Sequence, residues 1–127
     1  MGKDMSELAS YFEPLAQDLL DKCYLAGIQC RVIDTGRTPE EQVVKLETKV
    51  SWTSHSKHEP QLPEGKSEAI DICPLAILAE HKVDWDSASP LWLQIGEIGE
   101  GIGLKWGGRW HLHPDPSHFE YVHEEHA

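Results

Sequence analysis

Glu68-Ala69-Ile70-Asp71-Ile72-Cys73 repeats with a period of two and is closed by Pro74. In a strand that alternation sends Ile70 and Ile72 to one face and Ala69, Asp71 and Cys73 to the other. With the isoleucine pair turned to a core, Asp71 faces the opposite side, where the small Ala69 leaves room beside it. A second stretch, Asp115-Pro116-Ser117-His118-Phe119-Glu120-Tyr121, predicts a last strand from His118 to Val122. Its alternation places His118, Glu120 and Val122 on one face and Phe119 and Tyr121 on the other. If the two strands pair, Asp71 and His118 meet on a shared face.

A third piece, Ser54-His55-Ser56-Lys57-His58, belongs to a loop-like stretch over 51–67, where serines, Pro60, Pro63 and Gly65 oppose regular structure. Together the pieces offer a histidine, a carboxylate on a strand, and a second histidine with another carboxylate three residues before it. That is the donor set of a catalytic zinc site, which has three protein ligands and leaves the fourth tetrahedral position to water. His58, Asp71 and His118 are the candidate ligands, and Asp115 is the spare carboxylate that handles protons. A lone histidine is most often a surface or satisfied core residue, and this chain has 8 of them. The case for a metal rests on the conjunction.

The rest of the chain reads as one α+β domain spanning 1–127, with its core over about 14–122 and no second domain. The expected architecture is a small central, mainly antiparallel sheet flanked by helices. Pro14 suits the start of a helix in which Leu15, Leu19, Cys23 and Ala26 recur at helical spacing and Gly27 is the stop. Gln29 to Thr35 follows as a strand. Thr38, Pro39 and Glu41 have the pattern of a helix start, which leaves Arg37 at the strand's exit, either solvated or clamping an anion. A short extended piece is expected around Val83 and Trp85. Ser87 to Ile102 reads as a helix capped by Ser87 or Ser89, with Leu91, Ile95, Ile98 and Ile102 as its buried stripe and Gly103 as its stop. In Trp106-Gly107-Gly108-Arg109-Trp110, the glycines allow either close approach of backbone to a ligand between aromatic walls or a hairpin turn with core tryptophans.

Lys plus Arg number 11 against 22 for Asp plus Glu, a formal charge of −11. That sign disfavours nucleic acid and anionic membrane surfaces as partners. No apolar run approaches the roughly 20 residues of a membrane helix, so no membrane insertion is expected. No apolar signal core follows Met1-Gly2-Lys3-Asp4-Met5-Ser6, and synthesis as a soluble, monomeric cytoplasmic product is expected. Cys23, Cys30 and Cys73 lack C-x-x-C spacing and read as reduced, buried thiols.

Ser56-Lys57-His58, Ser67-Glu68-Ala69-Ile70-Asp71 and Asp115-Pro116-Ser117-His118, taken in that order, resemble a zinc peptidase family. It comprises D-alanyl-D-alanine carboxypeptidases and dipeptidases and, closer to these motifs, the L-alanyl-D-glutamate endopeptidases of phage lysins and bacterial wall hydrolases. The segments Gly36 to Gln42 and Trp106-Gly107-Gly108 look like the family's too, so the resemblance covers about 14–122. It implies zinc held by His58, Asp71 and His118, with Asp115 as general base and Arg37 stabilising an oxyanion or holding a substrate carboxylate. Ser56, Ser54, Trp106 and Gly107 are the implied substrate-binding residues. The implied substrate is a peptidoglycan stem peptide, cut at its L-Ala to D-Glu amide in the cell wall or periplasm after release. D-Ala-D-Ala trimming and a non-catalytic zinc-containing binding module are the alternatives. Two departures, the insert Glu59 to Lys66 and Ser67 where glycine is usual, are expected to reshape the cleft rim and leave the ligands intact.

A rival ligand set comes from His111-Leu112-His113, a motif that a related group of wall peptidases pairs with an upstream His and Asp. Pro114 directly after it argues for a strand end, and the context of His118 fits the family better, so His118 is preferred to His113. His55 is a decoy or lines the cleft. His123 and His126 fall in a tail expected to fray.

Overall fold

The structure is a computed structural model that describes residues 5–35, 66–76 and 88–123. His58, Arg37, Ser54, Ser56, the helix expected after Thr38, the extended piece around Val83 and Trp85, and His126 lie outside the described residues.

Among the described residues, four strands form one sheet in the order β1-β2-β4-β3, and each neighbouring pair is antiparallel: β1 is Cys30–Asp34, β2 Ala69–Pro74, β3 Lys105–Trp106 and β4 His118–Glu120. The central strand β2 is buried along its whole length. Its register with β4 sets Ala69 opposite Glu120, Ile70 opposite Phe119 and Asp71 opposite His118. On the other side Val32 pairs with Ile72, and an irregularity between Val32 and Asp34 brings Asp34 opposite Asp71. Such a bulge re-aims the strand at its exit.

Helix α1, Glu13–Leu25, carries Pro14 in its first turn and buries Ala16, Leu19 and Cys23. The expected Leu15 is only partly buried and Ala26 is exposed, so the helix presents a narrower stripe than its leucines suggest. Helix α2, Pro90–Ile102, ends at Gly103, whose φ of 103° only glycine adopts easily. Ser89 stands at its N-cap position without a side-chain capping hydrogen bond.

The buried face of α2 is not the one its isoleucines predict. Trp92, Ile95, Gly96 and Gly99 are buried, while Leu91, Ile98 and Ile102 lie partly buried at its flanks. Rings explain the rotation. A Cβ on Gly96 would come within 2.3 Å of the Trp106 indole, and one on Gly99 within 2.3 Å of the Phe119 ring. The two glycines let the helix lie directly on aromatic side chains of β3 and β4. Gln94, Glu97 and Gly101 form the exposed side, so the helix is amphipathic, and its buried side includes two glycines that a count of large apolar residues passes over.

The core gathers Leu19, Ile70, Ile72, Trp92, Ile95, Trp106 and Phe119 on the helix side of the sheet. It also takes in Leu8, Ala9 and Phe12, all fully buried, so it begins ahead of Pro14 rather than at it. A 3-10 turn at Met5–Glu7 leads into this segment. The Ala9 N–H donates to Ser67 O at 2.8 Å and the Ser67 N–H to Glu7 O at 3.1 Å, stitching the segment alongside the approach to β2.

The end of β4 is tied down as well. Glu68 is fully buried; it accepts hydrogen bonds from the Tyr11 hydroxyl and, at 2.7 Å, from Nε2 of His123. The Tyr121 ring packs edge-on to Tyr11 and to His123. His123 is therefore held by a buried carboxylate and is not part of a frayed tail.

Candidate metal centre

With the isoleucines of β2 committed to the core, Asp71 projects from the opposite face, and the antiparallel register sets His118 of β4 directly beside it. Both are buried, at 9% and 5% exposure. His118 Nδ1 lies 3.1 Å from Asp71 Oδ1, and its Nε2 lies 2.9 Å from Glu120 Oε1. The imidazole is gripped at both nitrogens.

Asp115 reaches the same place from the loop before β4. The loop is fixed by backbone and indole: the Asp115 N–H donates to Gly107 O at 3.0 Å, the His118 N–H to Asp115 O at 3.2 Å, and Trp106 Nε1–H to Pro116 O at 2.8 Å. Ser117 Oγ–H donates to Asp115 Oδ1 at 3.0 Å and orients the carboxylate. Ligand atoms of Asp71, Asp115 and His118 all lie within 4.8 Å of one another. The Trp110 ring stands 5.1 Å from the His118 imidazole and walls that side.

Trp106 and Gly107 act from behind this loop. Trp106 is 1% exposed, and Gly107 is buried where a Cβ would meet Asp115 O at 2.6 Å and His118 Cβ at 3.1 Å. Close approach of backbone is what the glycine permits, but toward the Asp115 loop. Arg109 turns away and donates to both carboxylate oxygens of Glu100 at 3.1 and 3.0 Å. His111 and His113 are exposed, and neither joins the cluster of Asp71, Asp115 and His118.

These residues suit a divalent cation. Two ligand atoms each about 2.0–2.2 Å from a tetrahedral centre lie about 3.3–3.6 Å apart; the 3.1 Å between Nδ1 and Oδ1 is close to that edge. Electrostatics agree. Burial disfavours a charged imidazole at His118, yet hydrogen bonds to Asp71 and Glu120, with the charges of Asp71 and Asp115, outweigh it and hold the pKa up at about 10. Carboxylates gathered this tightly in a buried place favour a bound positive charge, which a proton on His118 or a metal ion can supply.

Glu120 is the residue that strand alternation placed on the correct face without giving it a role. Its signal was the two-residue spacing from His118, together with the rule that a ligating histidine donates its other ring N–H to a carboxylate or carbonyl.

A sequence profile described as D-alanyl-D-alanine carboxypeptidase matches residues 49–121, more than half of the chain. The chain belongs to that peptidase family. The matched span contains His58, Asp71, Asp115 and His118. Among relatives of this family member, the L-alanyl-D-glutamate peptidase of Listeria phage A118 is 27% identical over 120 residues, covering 93% of this chain. The chain spans 39% of that relative's length. Among solved structures, the L-Ala D-Glu endopeptidase ChiX of Serratia marcescens superposes with a TM-score of 0.65 at 18% identity, over 93% of this chain and 83% of that one. VanYB in complex with D-alanine-D-alanine gives 0.55 at 20% identity, over 91% and 72%. A vancomycin-resistance D,D-pentapeptidase VanY in complex with Zn(II) gives 0.54 at 21%, over 91% and 73%. These likenesses show the fold, a small antiparallel sheet with helices.

Proposed function

We propose that this family member is a zinc-dependent peptidase that hydrolyses an amide in peptidoglycan stem peptides, at the L-Ala to D-Glu bond. The observation that carries the reading is the convergence of Asp71, Asp115 and His118 from two paired strands and a fixed loop. The phage relative's name, L-alanyl-D-glutamate peptidase, supports the choice of bond.

In this reading Asp71 and His118, whose Oδ1 and Nδ1 face each other, would hold the zinc, with His58 as the third ligand. Bound zinc supplies Lewis acidity, polarising a carbonyl and lowering the pKa of a bound water to about 7. Asp115, held by Ser117 Oγ and the Gly107 carbonyl, takes the proton from the attacking water and delivers it to the departing amine. Its carboxylate stands within reach of the ligand atoms, which that role requires. Trp110 covers the imidazole and limits water on its side. Arg37 stabilises the negative charge that develops on the substrate or anchors a substrate carboxylate, and Ser54 and Ser56 hydrogen-bond the peptide. No helix among the described residues is long and apolar enough to cross a membrane, and the site of action proposed is the cell wall.

Release of terminal D-alanine is the second reading, favoured by the description of the matching profile and by the ligand of VanYB. Digestion of purified sacculi and of defined muropeptides, read by mass spectrometry with and without a chelator, decides between them. New N-terminal D-Glu supports the endopeptidase, free D-Ala supports the carboxypeptidase, and no chelator-sensitive product overturns both.

A further inference from the structure

Glu120 is the feature of the site that the proposed reaction leaves without a task. It sits on β4 two residues beyond His118, and its Oε1 lies 2.9 Å from His118 Nε2, the ring nitrogen that faces away from Asp71. We infer that Glu120 is a positioning residue: it accepts the Nε2–H of His118 and thereby presents the Nδ1 lone pair to the metal position beside Asp71. The inference rests on the reading of this centre as a zinc site and adds a residue to it.

The sheet builds this contact from its register. Ala69 of β2 lies directly opposite Glu120, just as Asp71 lies opposite His118. Directly opposed residues point to the same face with their Cβ atoms about 4.5–5.5 Å apart. A methyl at position 69 is small enough for the Glu120 side chain to fold along the strand toward His118, which a branched residue would obstruct. The third neighbour, Lys105 of β3, is also opposite Glu120 but is exposed. Lys105 offers the competing explanation, a cross-strand charge pair at the sheet surface that has nothing to do with the imidazole. Burial argues against it: the Glu120 side chain is 13% exposed and its partner His118 6%.

An imidazole has two nitrogens, and a metal needs one of them as a bare lone pair. In the neutral ring one nitrogen is a donor and the other an acceptor, and the partner of the donor decides which is which. A carboxylate at Nε2 stabilises the tautomer protonated there and disfavours the one that would block the metal side. It also fixes the ring plane and raises the basicity of the ligating nitrogen. Loss of such a partner lowers metal affinity by about 10–100-fold in metal centres of this kind.

The test compares unchanged protein with Glu120→Ala, Glu120→Gln and Lys105→Ala. Zinc affinity is measured by competition with a chromophoric chelator, and the His118 tautomer by 15N NMR of ring-labelled, zinc-loaded protein. Unchanged protein should show Nε2 protonated and Nδ1 bound. Glu120→Ala should weaken zinc binding about 10–100-fold and lose the protected Nε2–H signal. Glu120→Gln keeps an acceptor oxygen and should recover most of both, and Lys105→Ala should change neither. Unfolding of each metal-free variant identifies a loss that comes from misfolding. Undiminished zinc affinity in a folded Glu120→Ala, or an equal loss in Lys105→Ala, would overturn the inference with the zinc site intact. Failure of unchanged protein to bind zinc at all would overturn the site itself.

Discussion

Gly107 and Asp115 touch backbone to backbone: the Gly107 carbonyl accepts the Asp115 N–H at 3.0 Å, and a Cβ on Gly107 would lie 2.6 Å from Asp115 O. No side-chain rotation relieves that contact, because the obstructing atom is main chain. Gly107→Ala is therefore expected to push the loop carrying Asp115 away from His118, costing about 1–3 kcal/mol as overpacking does. Activity should fall further than stability, since a displacement of about 1 Å at a catalytic group costs on the order of 100-fold. Urea unfolding and muropeptide turnover, measured on the same preparation, check the pair of effects.

Asp115→Asn should separate metal binding from turnover. Amide and carboxylate have nearly the same shape, so the hydrogen bonds from Ser117 Oγ and the Asp115 N–H can persist. What disappears is the ability to take a proton, worth about 100- to 10,000-fold in general-base catalysis. Zinc content by atomic absorption should match that of the unchanged protein while turnover falls by that factor. Retained turnover would remove Asp115 as the base.

The metal-free protein should lose stability as the solution becomes alkaline. His118 titrates at about 10 in the folded chain, against about 6.5 when unfolded. A raised folded pKa stabilises through the protonated form, so the contribution is complete below about 6.5 and is gone once the pH has passed about 10. Urea midpoints in chelator between pH 6 and 10 should decline over this window, and more shallowly in His118→Gln. Zinc takes the place of that proton, so its binding at neutral pH should release protons, detectable as a calorimetric heat that depends on buffer.

Glu68→Ala should destabilise the protein without touching the metal position. It removes the acceptor shared by the Tyr11 hydroxyl and His123 Nε2 and leaves the tyrosine to find another partner. Hydrogen bonds to a charged group contribute about 1.5–3 kcal/mol each, so a loss of at least that size is expected in denaturant titrations. Zinc affinity should stay within about threefold of the unchanged protein, because Tyr11 and His123, which the Glu68 carboxylate holds, are not in the cluster of Asp71, Asp115 and His118.

The faces of β2 and β4 were legible in the sequence because both strands alternate cleanly, whereas their pairing was a condition there and is what the structure adds. Asp71 and His118 meet as that alternation requires. The phase of α2 was legible only in part: Ile95 is buried as expected, and Leu91, Ile98 and Ile102 pack at the margin. Its isoleucines advertise one face, but the contact runs through Gly96 and Gly99, and a glycine signals an aromatic ring lying on it only when the ring is known. His123 was misjudged for a related reason: its partner Glu68 is 55 positions away, and nothing local distinguishes a tethered tail from a loose one. The segment ahead of Pro14 buries Leu8 and Phe12 through a short 3-10 turn, too brief to show a period. Glu120 was on the right face, but which carboxylate a histidine will choose depends on register, and register is a property of the pair of strands.

Strand β2 turns Ile70 and Ile72 one way and Asp71 the other, so the greasy interior and the reactive groups share a backbone without sharing a side. Chemistry on one side can then be switched off while the other goes on holding the molecule together. An Asp115→Asn preparation should accordingly serve as a bait, able to capture an uncut stem peptide long enough for its sequence to be read from the complex.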